Sequence, residues 1–230
     1  RQMCIRDRTN SYVSDFANIL DKARPSFGDP TLGNPNNKFF ENVIVELESL
    51  KNADDFTRGL AQISGGLHGY TVDIAAINSR TLVNTMKNRA LTRDYLTTKP
   101  VNSWNQDVIY LDNSHRLGGL MSGDYQENGV LGVSEKQVFS NGKLGFVYGG
   151  SKGKAKFDGG ESGDIATDNI YTGIYYNHDF NDNFALNTNF SFVYGHNSVN
   201  RRVRIGNLDE TLKSHYPTYA MGIGTSAIYN

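Results

Sequence analysis

The chain has little cysteine, with one residue at position 4, and almost no net charge: 23 basic against 24 acidic side chains, formally −1. That balance removes any electrostatic case for nucleic acid or an acidic lipid surface as a partner. Long apolar runs are missing too. The longest near the middle is Ile74 to Ile77, far short of the roughly 20 residues of a spanning helix. A β-barrel is untouched by that absence, since its strands cross with only about 9–11 alternating residues. No secretory leader is visible in the first residues, where the protein itself need not begin. Apolar residues make up only 38% of the chain, low for a soluble core of this size. Gly, Asn, Ser, Thr and Tyr fill the balance, and these suit a sheet with one apolar face and one wet face.

The opening octapeptide, RQMCIRDR, matches the translation of a transposon-end sequencing adapter. Residues 1–8 are therefore read as adapter-derived and set aside from the fold. Cys4 goes with them, leaving a cysteine-free chain of the kind an oxidising envelope compartment tolerates.

Two regimes meet near Pro100. Before it, apolar residues repeat at helical spacing. Tyr12, Phe16, Ile19 and Leu20 form a first stretch, with Ser11 as its cap and Arg24-Pro25 as its stop. A Gly/Pro/Asn loop is expected over residues 25–37. A second stretch carries Phe40, Val43, Ile44, Leu47 and Leu50. Asn52 then caps a third, with Asp54 and Asp55 placed to complement the helix dipole. Leu67, Tyr70, Ile74, Ile77 and Thr81 give a narrow apolar stripe on a last, long helix. Most of its remaining surface is polar, including Asn78, Ser79, Arg80, Asn84, Lys87, Asn88 and Arg89. Such a helix is a poor fit to a globular core.

After Pro100 the period becomes two. Phe184, Leu186, Phe190, Phe192 and Tyr194 share one face, while Ala185, Asn187, Asn189, Ser191 and Gly195 share the other. Leu144, Phe146 and Tyr148 alternate with Lys143, Gly145 and Gly149. Tyr219, Met221, Ile223 and Tyr229 alternate with Ala220, Gly222, Gly224 and Ser226. Weaker runs at 104–112, 129–138 and 170–178 bring the expected strands to six. Residues 140–142 and 181–183 read as tight turns. Residues 113–128, 152–169 and roughly 197–217 read as long polar loops. Short and long connections would then alternate, as they do in outer-membrane barrels.

Several motifs have a sharp and a bland reading. Gly149-Gly-Ser151-Lys-Gly153 has the nucleophile-elbow spacing, but a strand running into a loop lacks the required helix. Asp179, Asn181 and Asn183 start like a calcium loop, yet Phe184 stands where Gly is needed, so a hairpin turn is preferred. His68, His115, His178, His196 and His215 lack metal-ligand spacing and are placed mostly in loops. Arg201, Arg202 and Arg204 form a basic cluster that is either solvated or a contact for lipopolysaccharide phosphates. Tyr110, Tyr125, Tyr148, Tyr176, Tyr194, Tyr219 and Tyr229, near strand ends, suit an interfacial aromatic girdle. Cross-strand packing in a soluble sheet would also recruit them.

The order of elements resembles the autotransporter β-domain family. Gly59-Leu60-Ala-Gln-Ile63-Ser64-Gly65 is similar to that family's "aLdqLSGe" element. A helix with a Ser-Arg pair (Ser79-Arg80) and a basic stretch (Lys87-Asn88-Arg89) follows, as in the family. Asn169-Ile-Tyr-Thr-Gly-Ile-Tyr175, followed by Asp182-Asn-Phe-Ala-Leu186, is similar to its mid-barrel hairpin. The resemblance covers roughly residues 50–230. It implies an all-β membrane barrel of twelve antiparallel strands, about six of them here, behind a helical linker that includes a pore helix. The expected division is linker 9–66, pore helix 67–99 and the front half of the barrel from 100 to 230, cut short at both ends. The expected function is non-catalytic, needs no cofactor or metal, and consists of anchoring in the outer membrane and exporting an N-terminal passenger. The alternatives are an anchor for a surface adhesin or structural protein, or a soluble all-β binding protein or enzyme. Implied partners are the chain's own passenger, outer-membrane lipid and lipopolysaccharide, and the barrel assembly machinery. Arg80, Asn84, Lys87 and Arg89 are the expected lumen contacts of the pore helix. Passenger release in some members occurs at an Asn-Asn pair in this helix. Asn78, Asn84 and Asn88 form no such pair and Asn36-Asn37 lies too far upstream, so no cleavage site is assigned.

Overall fold

A computed structural model describes residues 35–63, 65–91, 104–118, 122–139, 141–158, 163–181 and 183–229. The expected helix around residues 12–24 lies outside them, as do residues 92–99 of the expected pore helix. Three helices come first: α1 (Pro35–Ser49), α2 (Ala53–Ile63) and α3 (Gly66–Leu91). Proline opens α1, where its missing N–H costs nothing. Residues 35–37, expected as the end of the preceding loop, therefore belong to the helix. Asn52 caps α2 as its sequence suggests, its Oδ1 accepting from the Asp54 amide at 2.9 Å. Gly65, at φ +79°, turns the chain from α2 into α3 in a conformation that favours glycine.

Six strands follow: β1 (Trp104–Leu117), β2 (Ser122–Val138), β3 (Gly142–Asp158), β4 (Gly163–Asn181), β5 (Phe184–Ile205) and β6 (Leu208–Tyr229). They form one antiparallel sheet in sequence order. The sheet curves, and α3 packs against β4, β5 and β6 on its concave side. This is the partial all-β barrel with a helical linker that the sequence suggests.

The loop rhythm is not observed. Most of residues 113–128 and 152–169 is paired strand: β1 runs to Leu117, β2 starts at Ser122, β3 runs to Asp158 and β4 starts at Gly163. The third expected loop is a hairpin turning at Gly206-Asn207, with Gly206 at φ +56°. Asn, Lys and Asp made these segments look like loops. Their period of two was nonetheless intact: Lys152, Lys154 and Lys156 are exposed and Ser151, Gly153, Ala155 and Phe157 are buried. The five histidines accordingly sit in α3, β1, β4, β5 and β6 rather than in loops. The turns expected at 140–142 and 181–183 stand where they were placed. In the second, Asn181 Oδ1 accepts from the amides of Asn183 and Phe184 at 2.9 and 2.8 Å.

Register explains the long strands. One line of paired residues runs Tyr110–Val130–Gly150–Ile170–Tyr194–Tyr219 across all six strands. The next outward line is Asp112–Asn128–Lys152–Asp168–His196–Pro217. On the first side of that divide the convex face carries Trp104, Val108, Phe146, Tyr148, Ile174, Phe190, Met221 and Ile223, all exposed. On the other it carries Arg116, Asp124, Lys154, Lys156, Asp164, Asn200 and Lys213. The apolar side takes about eleven residues of β4, β5 and β6, the length a tilted strand needs to cross a bilayer's hydrocarbon. Among the described residues nothing covers the convex face, so these side chains have no protein packing partner there. An exposed apolar surface this continuous marks an interaction with another apolar phase. The polar halves of the strands, together with the β5–β6 hairpin, stand beyond it.

Candidate functional site: the helix-filled concave face

Helix α3 touches each of the six strands through a named side chain, and the contacts fall into three levels. At its C-terminal end Arg89 donates to Asp107 of β1 at 2.7 Å and to Glu135 of β2 at 3.1 Å. Lys143 of β3 donates to the Arg89 carbonyl at 2.7 Å and lies 3.5 Å from Glu135. Tyr175 of β4 also donates to Glu135. Two cations and two anions thus close a neutral knot in which the Glu135 side chain is only 2% exposed. A carboxylate so desolvated is tolerated because every neighbour favours its charge.

In the middle the contact is mostly apolar. Leu82 and Met86 are fully buried against Leu111, Leu131, Val147, Tyr171 and Val193. Gly173 of β4 makes this possible, since a Cβ there would lie 2.7 Å from Met86 Sδ. Asn78, fully buried, accepts from the Tyr125 hydroxyl at 3.2 Å, and its Nδ2 is left without a partner. Beside it Glu127, also fully buried, is held by donors from Tyr171, Ser151 and Asn113 rather than by a cation in the manner of Glu135.

Near the N-terminus, Leu67, Tyr70 and Ile74 pack on Tyr125, Phe157, Ile165 and Val199. His68 Nδ1 lies 2.8 Å from the Tyr216 hydroxyl of β6, which also donates to Thr71 Oγ1 at 3.3 Å. Burial, and secondarily the nearby Arg201, lower the His68 pKa below its ordinary 6.5.

Of the four residues singled out in α3, Arg89 meets the wall. Arg80, Asn84 and Lys87 lie on the helix's open side. Arg80 and Asn84 border a groove of about 720 Å³ between α3 and residues 217–223 of β6. The buried stripe departs from the sequence reading, continuing through Asn78, Leu82 and Met86 instead of Thr81. Leu82 and Met86 could have been found by following the spacing of four from Ile74 through the polar Asn78. Sequence reasoning also missed Glu127 and Glu135, whose one signal was two acids on the inward parity of β2.

Four further readings change. Tyr125 faces inward and is fully buried, so it belongs to no girdle, whereas Tyr110, Tyr148 and Tyr219 are exposed on the convex face. Ser151 lies within a continuous β3 and donates to Glu127, so Gly149–Gly153 forms no strand-turn-helix elbow. The arginines do not form one cluster. Arg201 reaches the Gln62 carbonyl at 3.3 Å, whereas Arg202 and Arg204 pair with Asp209 at 2.6 and 3.4 Å. Hydrogen bonds from Arg202 hold the Asp209 carboxyl below its usual range. Asn84 and Asn88 are exposed on α3.

Six antiparallel strands around a wall-bonded helix, with an apolar convex band, define part of a membrane β-barrel with an occupied lumen. The family model of the autotransporter β-domain matches residues 112–230. The chain belongs to that family, which carries an outer-membrane β-barrel, a translocator role in type V secretion and domains that are generally non-catalytic. Among curated proteins, none matches the sequence. A solved structure, the membrane pore complex of pneumolysin, is similar to 55% of this chain and 30% of its own, with 7% identity and a TM-score of 0.11. At that level the likeness carries no argument.

Proposed function

We propose that the chain anchors an autotransporter in the outer membrane and supports export of a passenger that precedes it, without chemistry of its own. In this reading residues 9–66 link the passenger to the barrel, 67–99 thread the lumen, and 100–230 form wall. Residues 1–8 are adapter-derived. The observation that carries the reading is the register line at Tyr110–Tyr219. It separates an apolar outer face from a charged one, while α3 is bonded to the inner face on both sides of it. A helix inside a membrane-spanning wall must find partners for its polar groups there, as Arg89 does with Asp107 and Glu135.

The free edges of β1 and β6 require further strands, since unpaired backbone groups are costly in lipid. Those strands would also face Arg80, Asn84 and Lys87, making them lumen contacts. Outer-membrane lipid and lipopolysaccharide would surround the band, and the barrel assembly machinery would insert it. An adhesin or structural anchor shares every one of these features and differs only in the passenger.

Fractionation of the full-length gene product tests the proposal. It should partition with the outer membrane and migrate faster on gels unheated than boiled. Recovery as a soluble periplasmic protein with no heat-dependent shift would refute it.

A further inference from the structure

The β5–β6 hairpin is taller than the wall it belongs to. Pairing of β4 with β5 stops at Gly163 and Arg201, while β5 and β6 pair on to Ile205 and Leu208. A bare two-stranded tip is marginal by itself, and an outward-standing one in water has no reason to be apolar inside. This one is. Val203 and Ile205 are 0% and 1% exposed, with Leu208 and Leu212 beside them, all on the concave face.

What covers them is the helical pair before the pore. Val43 and Leu47 of α1 and Phe56 and Leu60 of α2 form one buried cluster with the tip. Polar contacts fix the pose. Glu46 Oε2 accepts from the Asn207 amide at 2.9 Å, in the turn itself. Gln62 Oε1 accepts from the Arg204 amide at 2.5 Å, and its carbonyl accepts from Arg201 at 3.3 Å. Close approach needs glycine on both sides. A Cβ at Gly59 would lie 2.9 Å from Leu47 of α1 and in ordinary contact with Ile205, and Gly206, at φ +56°, turns the tip in a conformation that favours glycine beside the Glu46 carboxylate.

We infer that the tip of the β5–β6 hairpin is a docking platform for the chain emerging from the pore. It holds α1 and α2 as a folded stop that keeps this chain from sliding back. The inference rests on the membrane reading above, which places the tip on the side the helix leads to. The physical basis is width. A single helix such as α3 is about 10–12 Å across, whereas two packed helices are roughly twice that. The segment can pass only unfolded, and the platform rewards folding only after passage. The matched apolar faces, turn-to-Glu46 bond and paired glycines fit this one segment of the chain rather than a general partner.

The test is trypsin added to intact cells making the full-length gene product, with cutting after Lys51 and Arg58 followed over time. In the parent these sites should be cut slowly. Ile205→Asp on the platform and Leu60→Asp on α2 should each cut about tenfold faster, because the segment loses its folded state. Loss of outside cutting with gain of cutting in permeabilised cells would equally show that the stop is gone. Val45→Asp, on the outer side of α1, should behave as the parent. Equal rates in the parent and Leu60→Asp would overturn the inference. Leu60 lies outside the wall, so this arm stands even if Ile205→Asp fails to assemble. The heat-dependent gel shift of the parent separates the two readings: its absence counts against the barrel, its presence with equal rates counts against the platform alone. Sites cut in the parent only after permeabilisation would overturn both the outward placement and the platform.

Discussion

Arg89 and Gly173 bear the most consequence among single residues, for opposite reasons. Arg89→Met removes one cation from a carboxylate with almost no access to water. Breaking such a pair typically costs about 3–5 kcal/mol. Urea titration of the detergent-solubilised full-length protein should show a loss toward the lower end of that range, because Lys143 still stands 3.5 Å from Glu135. Adding Glu135→Leu and Lys143→Met should restore most of it, since the apolar trio leaves no buried charge unpaired and Asp107 is partly solvated. Gly173→Val should displace Met86 and weaken helix docking, and Met86→Ala should relieve the strain. A purely local β-propensity effect would leave that second substitution without benefit. His68 gives a pH dependence of definite sign. Its folded pKa is depressed below 6.5, so its contribution is complete above that value. It fades as pH falls from there through the folded pKa. Amide protection factors in the first turn of α3, taken relative to the slower intrinsic exchange at acid pH, should therefore fall at pH 5 relative to pH 7.5, and His68→Gln should flatten the difference. At this scale the sequence was only partly legible. Basic residues on a polar helix pointed to Arg89, but a helix has several polar sides. Spacing of four and three puts Arg80, Asn84 and Lys87 on one side of the helix, but nothing in it said that this side would face away from these six strands.

The strands are the elements whose sequence misled and then explained itself. A strand half in lipid and half in water has two compositions and one period. Reading by composition ended β3 near Gly149 and turned Lys152, Lys154 and Lys156 into a loop. Reading by period carries it to Phe157. The same account predicts how substitutions depend on position along one strand. Ile174→Arg, inside the apolar band of β4, should cost about 2–4 kcal/mol near mid-membrane. Ser198→Arg, on the convex face of β5 beyond the line, should cost almost nothing. Refolding titrations of both variants into lipid vesicles would check the contrast. Equal costs would mean that the line is not a membrane boundary. Helix ends were easier to read, because capping is local: Asn52 caps α2 through atoms two residues apart. Strand ends depend on partners far along the chain, which no local signal carries.

For the whole molecule, the class of fold was visible in the switch from helical to alternating spacing, and the family in the order of its elements. The pairing of α1 and α2 with the β5–β6 tip was not visible, because it joins segments about 150 residues apart. The account as a whole makes one demand: the convex face of β5 must change solvent near Tyr194. Single cysteines at Thr188, Phe190, Phe192, Ser198 and Asn200, in the full-length gene product made free of any other cysteine, read this directly in intact cells. A membrane-impermeant maleimide should label positions 198 and 200 readily and leave 188, 190 and 192 unlabelled until detergent is added. Uniform labelling along the strand would contradict the account.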